Sequence, residues 1–256
     1  MLQILVLGVV EGFTEFLPIS STAHMMMASR IMGSISTDFL ETFQIVVQFG
    51  AILAVVILYW ARLSALRHVW GKILAAFIPT GIIGFILYKL IKVYLIGNNT
   101  IAIWALGIGG ALLILFEIFH KDASSSQGSL EELAGMSYKK AVAIGFAQAV
   151  AVIPGVSRSA ATIVAGRTLG VSRAAIVEFS FLLAVPTMLA ASGYELLNST
   201  PHLDMEQYSY LLTGLVVAFV TAYLSVRWLL RYVQNHSFIA FGIYRIIIAF
   251  AFIPFL

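Results

Sequence analysis

Long apolar stretches make up most of the chain. Bounded by charged residues or by Gly, Pro and Asn, they define eight segments, at about 2–28, 39–60, 72–92, 100–119, 141–165, 174–196, 208–230 and 237–256. A helix needs roughly 20 apolar residues to cross a bilayer, so these segments have the length of membrane helices. They lack the alternation of apolar and polar residues that is typical of membrane β-barrel strands. The pattern therefore predicts an all-α integral membrane protein.

The composition excludes two broad classes of protein. Of the 256 residues, 61% are apolar and only 11% are charged, whereas about 25% are charged in an average soluble domain. A soluble enzyme domain is therefore excluded, and membrane lipid is an expected partner. The net charge is only +3 and is not concentrated in a basic cluster, so we expect no nucleic acid partner. The chain has no cysteine, which excludes disulfides and thiolate metal sites.

The chain is predicted to be a single transmembrane domain built from two related halves. These are repeat 1, at about 1–120, and repeat 2, at about 141–256, joined by an exposed loop at about 121–140. A shift of 137 positions aligns Gly8, Glu11 and Glu41 with Gly145, Gln148 and Glu178, and a gap of one residue aligns Pro18 and Ser21 with Pro154 and Ser157. The matches keep their order and spacing, which favours an ancient duplication.

The charges of the short connections predict how the halves are oriented. Arg62, Arg67 and Lys72 place the connection after the second segment in the cytoplasm, whereas the connection at 197–207 has no Lys or Arg and is placed outside. Because positions 62 and 199 are repeat equivalents, we expect inverted-topology repeats with a site near the bilayer midplane. The first and fifth segments then become re-entrant helical hairpins, broken near their prolines, whose tips meet inside the membrane.

The first segment carries two carboxylates, a hydroxyl and an imidazole. Glu11 and Glu15 share one helix face, and two carboxylates at membrane depth need a cation or a shared proton. Their oxygens suit Mg²⁺ or Ca²⁺, although glutamates that reach out to interfacial water are the alternative. Ser21 and His24 are the minimum for an activated nucleophile, and a helix cap with a structural histidine is the alternative.

The fifth segment carries groups that suit a phosphate. Pro154 and Gly155 precede a predicted helix start that presents backbone N–H groups, hydroxyls and the guanidinium of Arg158 together. The alternative is a structural Arg158 that is paired with Glu11 or Glu15. We assign substrate binding to five polar residues in the two segments, namely Thr22, Gln148, Ser157, Ser159 and Thr162.

These motifs resemble a known family. The run from Glu11 to His24, the segment Pro154-Gly155-Val156-Ser157-Arg158-Ser159 with Thr162, and the stretch from Leu169 to Pro186 resemble the bacitracin-resistance family of undecaprenyl-diphosphate phosphatases. The resemblance implies a bacterial plasma-membrane enzyme that removes the terminal phosphate of undecaprenyl diphosphate and so recycles the lipid carrier for peptidoglycan synthesis. It places the family's acidic motif on Glu11 and Glu15, its hydroxyls and imidazole on Ser21, Thr22 and His24, and its phosphate-binding segment on Ser157, Arg158, Ser159 and Thr162. Ala23 stands where the family usually has Gly.

The expected mechanism is phosphoryl transfer to a serine. Arg158 holds the terminal phosphate, Glu11 and Glu15 bind the divalent ion, Ser21 attacks, and His24 takes the serine proton. A rival scheme with His24 as the nucleophile stays open. So does a lipid transporter, because inverted repeats are also transporter architecture. We expect the site to face the external side of the membrane, and the sequence leaves the oligomeric state open, a homodimer included.

Overall fold

The computed structural model describes residues 1–33, 37–63, 67–95, 97–120, 129–198 and 203–255. Within these ranges the chain forms helices and no β-strand, which confirms the all-α prediction. The helices are α1 Leu2–Thr14, α2 Ser21–Met32, α3 Thr37–Leu63, α4 Arg67–Leu90, α5 Asn99–Phe119, α6 Ser129–Gly135, α7 Tyr138–Ala149, α8 Arg158–Thr168, α9 Arg173–Asn198, α10 Met205–Tyr232 and α11 Ile239–Phe252. A π-helical turn at Ile91–Leu95 extends α4, and 3₁₀ turns at Val150–Val152 and Ile253–Phe255 extend α7 and α11.

Five helices are long and apolar enough to cross a membrane. The spans are Phe39–Trp60, His68–Leu95, Asn99–Phe119, Arg173–Asn198 and Met205–Tyr232, in α3, α4, α5, α9 and α10. Many of their large apolar side chains point outward, and Trp60, Phe85 and Leu197 are all more than two-thirds exposed. Such a surface is unstable in water and stable against hydrocarbon. The chain is therefore a multi-pass membrane protein.

Two of the predicted long segments are each broken into a pair of short helices. The segment at 2–28 becomes α1 and α2, and the segment at 141–165 becomes α7 and α8. These four helices have 11 to 13 residues, so at about 1.5 Å per residue none reaches across a hydrocarbon core of about 30 Å. The breaks contain Pro18 and Pro154, which lack the N–H group that a continuous helix needs.

The short helices pack against long helices from the other half of the chain. Helix α1 lies along α10, and α7 lies along α4. Glycines permit the close approach: a Cβ atom on Gly12 would lie 2.3 Å from Ala218 O, and one on Gly145 would lie 2.0 Å from Ala76 O. Helices α3 and α9 pack together between these pairs, and α5 packs along α11. The two breaks are thereby held in the interior of the bundle.

The connection between the halves contains a packed helix. Of the exposed loop predicted at 121–140, residues 121–128 lie outside the described ranges, and residues 129–135 form α6. Leu133 of α6 is fully buried. The Lys72 ammonium donates to Leu133 O at 3.0 Å and also to Ala134 O, and the Glu132 carboxylate accepts from the N–H and the hydroxyl of Ser172. These bonds attach α6 to α4 and to the start of α9.

Candidate active site

The two helix breaks lie against each other. We call residues 15–20, between α1 and α2, the first tip, and residues 150–157, between α7 and α8, the second tip. The Ser159 hydroxyl, just after the second tip, donates to Leu17 O of the first at 2.8 Å. The ring of Phe16 meets Phe181 of α9 edge to face, with centroids 5.5 Å apart. Residues more than 140 positions apart in sequence thus form one buried site.

Glu15 is at the centre of this site and contacts two of the predicted reacting groups. Its Oε1 accepts from Arg158 Nη2 at 3.2 Å, and its Oε2 accepts a short hydrogen bond from the Ser21 hydroxyl. Arg158 also donates from Nη1 to Ser180 O at 2.9 Å, and its guanidinium lies 5.7 Å from the centroid of the Phe16 ring. Both side chains of the ion pair are largely buried. Removing either partner would leave an uncompensated buried charge.

A second carboxylate lies beside the first. Glu11 is one helical turn before Glu15 in the sequence, is only 4% exposed, and interacts electrostatically with the Glu15 side chain. Arg158 is the cation that interacts with this pair. Two adjacent buried carboxylates beside one guanidinium need either a shared proton or a bound cation. The described residues contain no group of three or more acidic or histidine side chains that could hold a metal ion by themselves.

His24 is held away from Ser21. Its Nδ1 lies 2.8 Å from Ser20 O, and its Nε2 lies 2.9 Å from the hydroxyl of Tyr244, whose ring stacks on the imidazole. A carbonyl oxygen only accepts, so we assign the proton to Nδ1, and Nε2 accepts from Tyr244. The predicted hydrogen bond between Ser21 and His24 is not formed among the described residues. Glu15, and not His24, contacts the serine hydroxyl.

The hydroxyls of the second tip mainly bond to protein groups. Ser157 and Ser159 lie 3.1 Å apart, and Ser157 also caps α8 by accepting from Ala160 N. Thr162 is fully buried, and its hydroxyl lies 2.8 Å from the hydroxyl of Ser180. These bonds hold the second tip beside the Arg158 guanidinium, so the hydroxyls support the site even before any ligand binds.

The other two predicted binding residues lie apart from this cluster. Thr22 is exposed at the start of α2. Gln148 is 1% exposed, and its amide nitrogen donates to the hydroxyls of Thr80 at 3.0 Å and Thr187 at 3.1 Å. The structure brings Glu11, Glu15, Ser21, Arg158, Ser157, Ser159 and Thr162 together, whereas Gln148 belongs to a separate polar contact between α4, α7 and α9.

Backbone strain is concentrated at the ends of the two tips. Ser20, with φ 69°, and Ser157, with φ 75°, are the non-glycine residues with positive φ in the part of the chain that the structure describes. Each directly precedes a helix, and the first residues of those helices are Ser21 and Arg158. Such conformations cost about 1–3 kcal/mol each and persist only where the surroundings impose them. The strain therefore lies at the residues directly before Ser21 and Arg158, and their backbone conformation helps to set where these two side chains are placed.

Ser20→Gly should raise the stability of the protein. Glycine adopts positive φ without strain, and the Ser20 side chain makes no capping hydrogen bond, so we expect a gain of about 1 kcal/mol, measured by thermal unfolding in detergent. The matched control is Ser29→Gly in the middle of α2, where glycine should lower stability by about 1 kcal/mol. A lower melting temperature for Ser20→Gly than for the wild type would contradict the strain at this residue.

Sequence reasoning missed two side chains at the site. Tyr244 lies in the last apolar segment, and its contact with His24 joins residues 220 positions apart. Ser180 contributes a backbone oxygen to Arg158 and a hydroxyl to Thr162, and nothing in an apolar run singles it out. A polar residue inside the last apolar segment was the one available signal for Tyr244.

Comparisons with known proteins show what this chain is similar to. The family model described as bacitracin resistance protein BacA matches residues 4–251. An undecaprenyl-diphosphatase of Aquifex aeolicus is 46% identical over 253 residues, which cover 99% of this chain and 97% of the relative. Proteins with the same name are 46% identical in Sulfurihydrogenibium, over 96% of both chains, and 46% identical in Wolinella succinogenes, over 98% of this chain and 96% of the relative.

Proposed function

The chain belongs to the bacitracin resistance protein BacA family, and we propose that its two tips form the active site of an undecaprenyl-diphosphatase, with Ser21, Glu15 and Arg158 as the reacting groups. Its reaction converts undecaprenyl diphosphate into undecaprenyl phosphate and inorganic phosphate, which recycles the lipid carrier for cell-wall synthesis. The observation that carries the assignment of residues is the double contact of Glu15, which joins a hydroxyl to a guanidinium in a buried site. A pure lipid transporter would give the contact between Ser21 and Glu15 no role.

Arg158 binds the terminal phosphate. Its planar fork matches two phosphate oxygens, and its present acceptor, Glu15 Oε1, is an oxyanion of similar geometry. The hydrogen bond from Nη1 to Ser180 O and the contact with the Phe16 ring hold the guanidinium in place while Nη2 exchanges Glu15 for the phosphate. When the phosphate replaces Glu15 as the partner of Arg158, the Glu15 carboxylate is released from this ion pair and stays beside the Ser21 hydroxyl.

The chemical step transfers the terminal phosphoryl group to Ser21. The Ser21 oxygen forms a bond to the terminal phosphorus, its proton passes to Glu15, and the bond between phosphorus and the bridging oxygen breaks. Undecaprenyl phosphate leaves with the bond's electrons. Water then attacks the phosphoserine, its proton passes to a carboxylate of the site, and Ser21 is released with a proton as inorganic phosphate departs.

The contacts of His24 favour the serine over the rival histidine nucleophile. The Nε2 lone pair would have to attack phosphorus, and that atom is engaged by the Tyr244 hydroxyl, while Nδ1 faces Ser20 O. His24 is also buried, at 8% exposed. We therefore assign His24 to the wall of the site, where it holds the Ser20 backbone. Phosphoenzyme trapped with substrate labelled in its terminal phosphate should carry an acid-stable phosphoserine, and an acid-labile phosphohistidine would contradict the assignment.

The carboxylate pair fits a hard divalent cation. Mg²⁺ and Ca²⁺ prefer oxygen ligands, and Mg²⁺ is commonly held by one or two carboxylates together with substrate phosphates. Glu11 and Glu15 would hold the ion with two buried carboxylates, and the diphosphate would supply further oxygen ligands. When bound, the ion would neutralise charge on the diphosphate. The need of two adjacent carboxylates for a cation or a shared proton supports this fit.

Removal of divalent ions should stop turnover. We expect phosphate release from undecaprenyl diphosphate by the purified protein to fall at least about 100-fold in a chelator and to return with Mg²⁺ or Ca²⁺. Glu11→Gln should raise the ion concentration that gives half-maximal activity. The control is Glu206→Gln at the exposed start of α10, which should leave the ion requirement unchanged. Full activity in the chelator would contradict the proposed cofactor.

Several observations support inverted repeats with re-entrant hairpins, the finer description of the fold that we propose. In each half two short helices precede two long ones and a final apolar helix. The Thr80 hydroxyl of α4 donates to Gly145 O of α7 at 2.7 Å, and the Thr221 hydroxyl of α10 lies 3.4 Å from Gly8 O of α1. The fourth helix of each half therefore packs against the first helix of the other half, which is the arrangement expected of interdigitated repeats.

Single cysteines test this topology, since the chain has none of its own. His68 and Met205 are exposed, stand near the starts of α4 and α10, and are separated by the repeat shift of 137. We expect Met205→Cys to react with an impermeant maleimide in intact cells and His68→Cys to react only after permeabilisation. Labelling of both from one side would contradict the inversion. The external opening of the site and the homodimer stay predictions, the latter testable from the mass of the purified particle.

A further inference from the structure

Arg245 of α11 holds both tips with one guanidinium. The side chain is completely buried. Its Nη1 donates to Pro18 O of the first tip at 3.1 Å, and its Nη2 donates to Gly155 O and Val156 O of the second tip at 3.0 and 3.1 Å. A single planar group therefore fixes the separation of two chain segments that lie more than 130 residues apart.

Helix α5 is shaped to admit this guanidinium. Arg245 Nε donates to Leu106 O at 3.1 Å, and Nη2 reaches Ala105 O at 3.3 Å. A Cβ atom on Gly109 would lie 2.1 Å from Nη2, and one on Gly110 would lie 2.9 Å from Arg245 Cβ. Glycine inside a helix costs about 1 kcal/mol relative to alanine. Gly109 makes room for the guanidinium at this cost, and Gly110 makes room for the start of the Arg245 side chain and for the α11 backbone at Gly242 O.

The acceptors of Arg245 are backbone carbonyls. Among the described residues no carboxylate forms an ion pair with it, although Glu15 pairs with Arg158 a short distance away. A buried cation with only dipoles around it is costly, and a helix contact alone does not require one. What the guanidinium provides is five donors in one fixed plane, which a lysine or an amide cannot direct to both tips at once.

The backbone groups that Arg245 contacts lie close in sequence to the residues that are proposed to react. Pro18 stands two residues before Ser20, and Val156 stands directly before Ser157, the two strained residues from which Ser21 and Arg158 follow. Strain of this kind needs an external constraint, and Arg245 contacts the backbone at both places. Loss of that constraint would let the tips relax apart, and a misplacement of about 1 Å can cost about 100-fold in rate.

We propose that Arg245 is a positioning residue for hydrolysis: by bonding Pro18, Gly155 and Val156, it keeps the Ser21 hydroxyl and the Arg158 guanidinium at reacting distance. This inference rests on the proposed function, because it assumes that Ser21 and Arg158 are the groups that react. Arg245 itself touches neither Ser21 nor Glu15, and it acts through the backbone of the tips.

Arg245→Lys tests the proposal. Lysine keeps the charge and has three donors on a point-like group, so we expect kcat to fall at least 30-fold while KM changes less than threefold and the melting temperature stays within a few degrees. Wild-type kcat in a folded Arg245→Lys protein would overturn the proposal. A loss of activity that matches only the loss of folded protein would also overturn it, because Arg245 would then serve stability alone.

A second variant keeps the test decisive if Arg245→Lys does not fold. Gly109→Ala leaves Arg245 in the sequence and displaces its guanidinium, so we expect kcat to fall at least tenfold; the control, Gly84→Ala, adds a Cβ atom in open space and should retain wild-type kcat. Unchanged kcat in Gly109→Ala would overturn the proposal. Arg158→Ala measured in parallel separates the two hypotheses: if it stays active, the proposed site is wrong, and if it is inactive while Arg245→Lys and Gly109→Ala are normal, only the role of Arg245 is wrong.

Discussion

Ser21→Ala should reduce phosphate release from undecaprenyl diphosphate by at least about a thousandfold, the scale on which an enzyme suffers from loss of an activated nucleophile. The hydroxyl already donates to Glu15, so the serine has its proton acceptor in place before the substrate arrives. Substrate binding should change much less, since the Arg158 guanidinium that binds the phosphate is unchanged in this variant. Release of labelled phosphate by the purified variant, with KM measured separately, checks both statements.

The matched control for this variant lies on the same helix. Ser29 donates its hydroxyl to Met25 O at 2.8 Å within α2, and Ser29→Ala should retain wild-type turnover. His24→Ala belongs in the same series, and we expect it to reduce turnover less than Ser21→Ala does. If Ser21→Ala kept near-normal turnover while His24→Ala abolished it, the histidine nucleophile would be the correct scheme.

Arg158→Lys should lower kcat/KM at least about 100-fold, or about 2.7 kcal/mol of transition-state stabilisation. The lysine ammonium is a point charge, and it cannot bond Glu15 and Ser180 O while presenting a planar fork to a phosphate. Both kcat and KM should change, because the guanidinium binds the ground state and stabilises charge as the phosphoryl group transfers.

Arg227→Lys is the control for this substitution. Arg227 also lies over an aromatic ring, 5.6 Å from the Tyr223 centroid, but at an exposed position of α10, so its replacement should leave turnover and melting temperature unchanged. Wild-type kcat/KM in Arg158→Lys would exclude Arg158 from phosphate binding. A fall in the melting temperature of Arg158→Lys together with normal turnover of the folded fraction would assign the residue to stability instead.

The principal groups of the site could be predicted because a membrane makes them conspicuous. Glu11, Glu15 and Arg158 are ionisable residues inside apolar segments, where an unpaired charge is too costly to be incidental. Pro18 and Pro154 marked the two breaks, since neither can sit inside a regular membrane helix without removing a hydrogen bond. Hydrophobic length alone then predicted the helices that surround them.

The detailed contacts could not be predicted, because backbone turns decide them. Ser21 and His24 are three residues apart, so a helical reading made them partners. In the structure α2 begins at Ser21, its hydroxyl turns back to Glu15, and His24 meets Tyr244 from the far end of the chain. Positive φ at Ser20 causes this arrangement, and a run of serine and threonine residues does not indicate that one of them has positive φ.

The alignment of the two halves by residue type differs at one position from the match that the backbone suggests. It paired Ser21 with Ser157, whereas the positive φ angles and the helix starts pair Ser20 with Ser157, and hence Ser21 with Arg158. Gln148 aligns with Glu11 and was assigned to substrate binding, and in the structure its amide nitrogen donates to the hydroxyls of Thr80 and Thr187. Positions that the alignment matches, such as Glu11 and Gln148, therefore have different side-chain contacts in the structure.

In the resting protein the carboxylate of Glu15 is an internal competitor for every anion that approaches Arg158. A ligand must supply more negative charge than a single carboxylate to displace it, which favours a diphosphate over weakly charged anions. If Arg158 binds the terminal phosphate as proposed, Glu15 can return to the guanidinium as phosphate departs. The ion pair would then oppose inhibition by product, at the expense of some affinity for substrate.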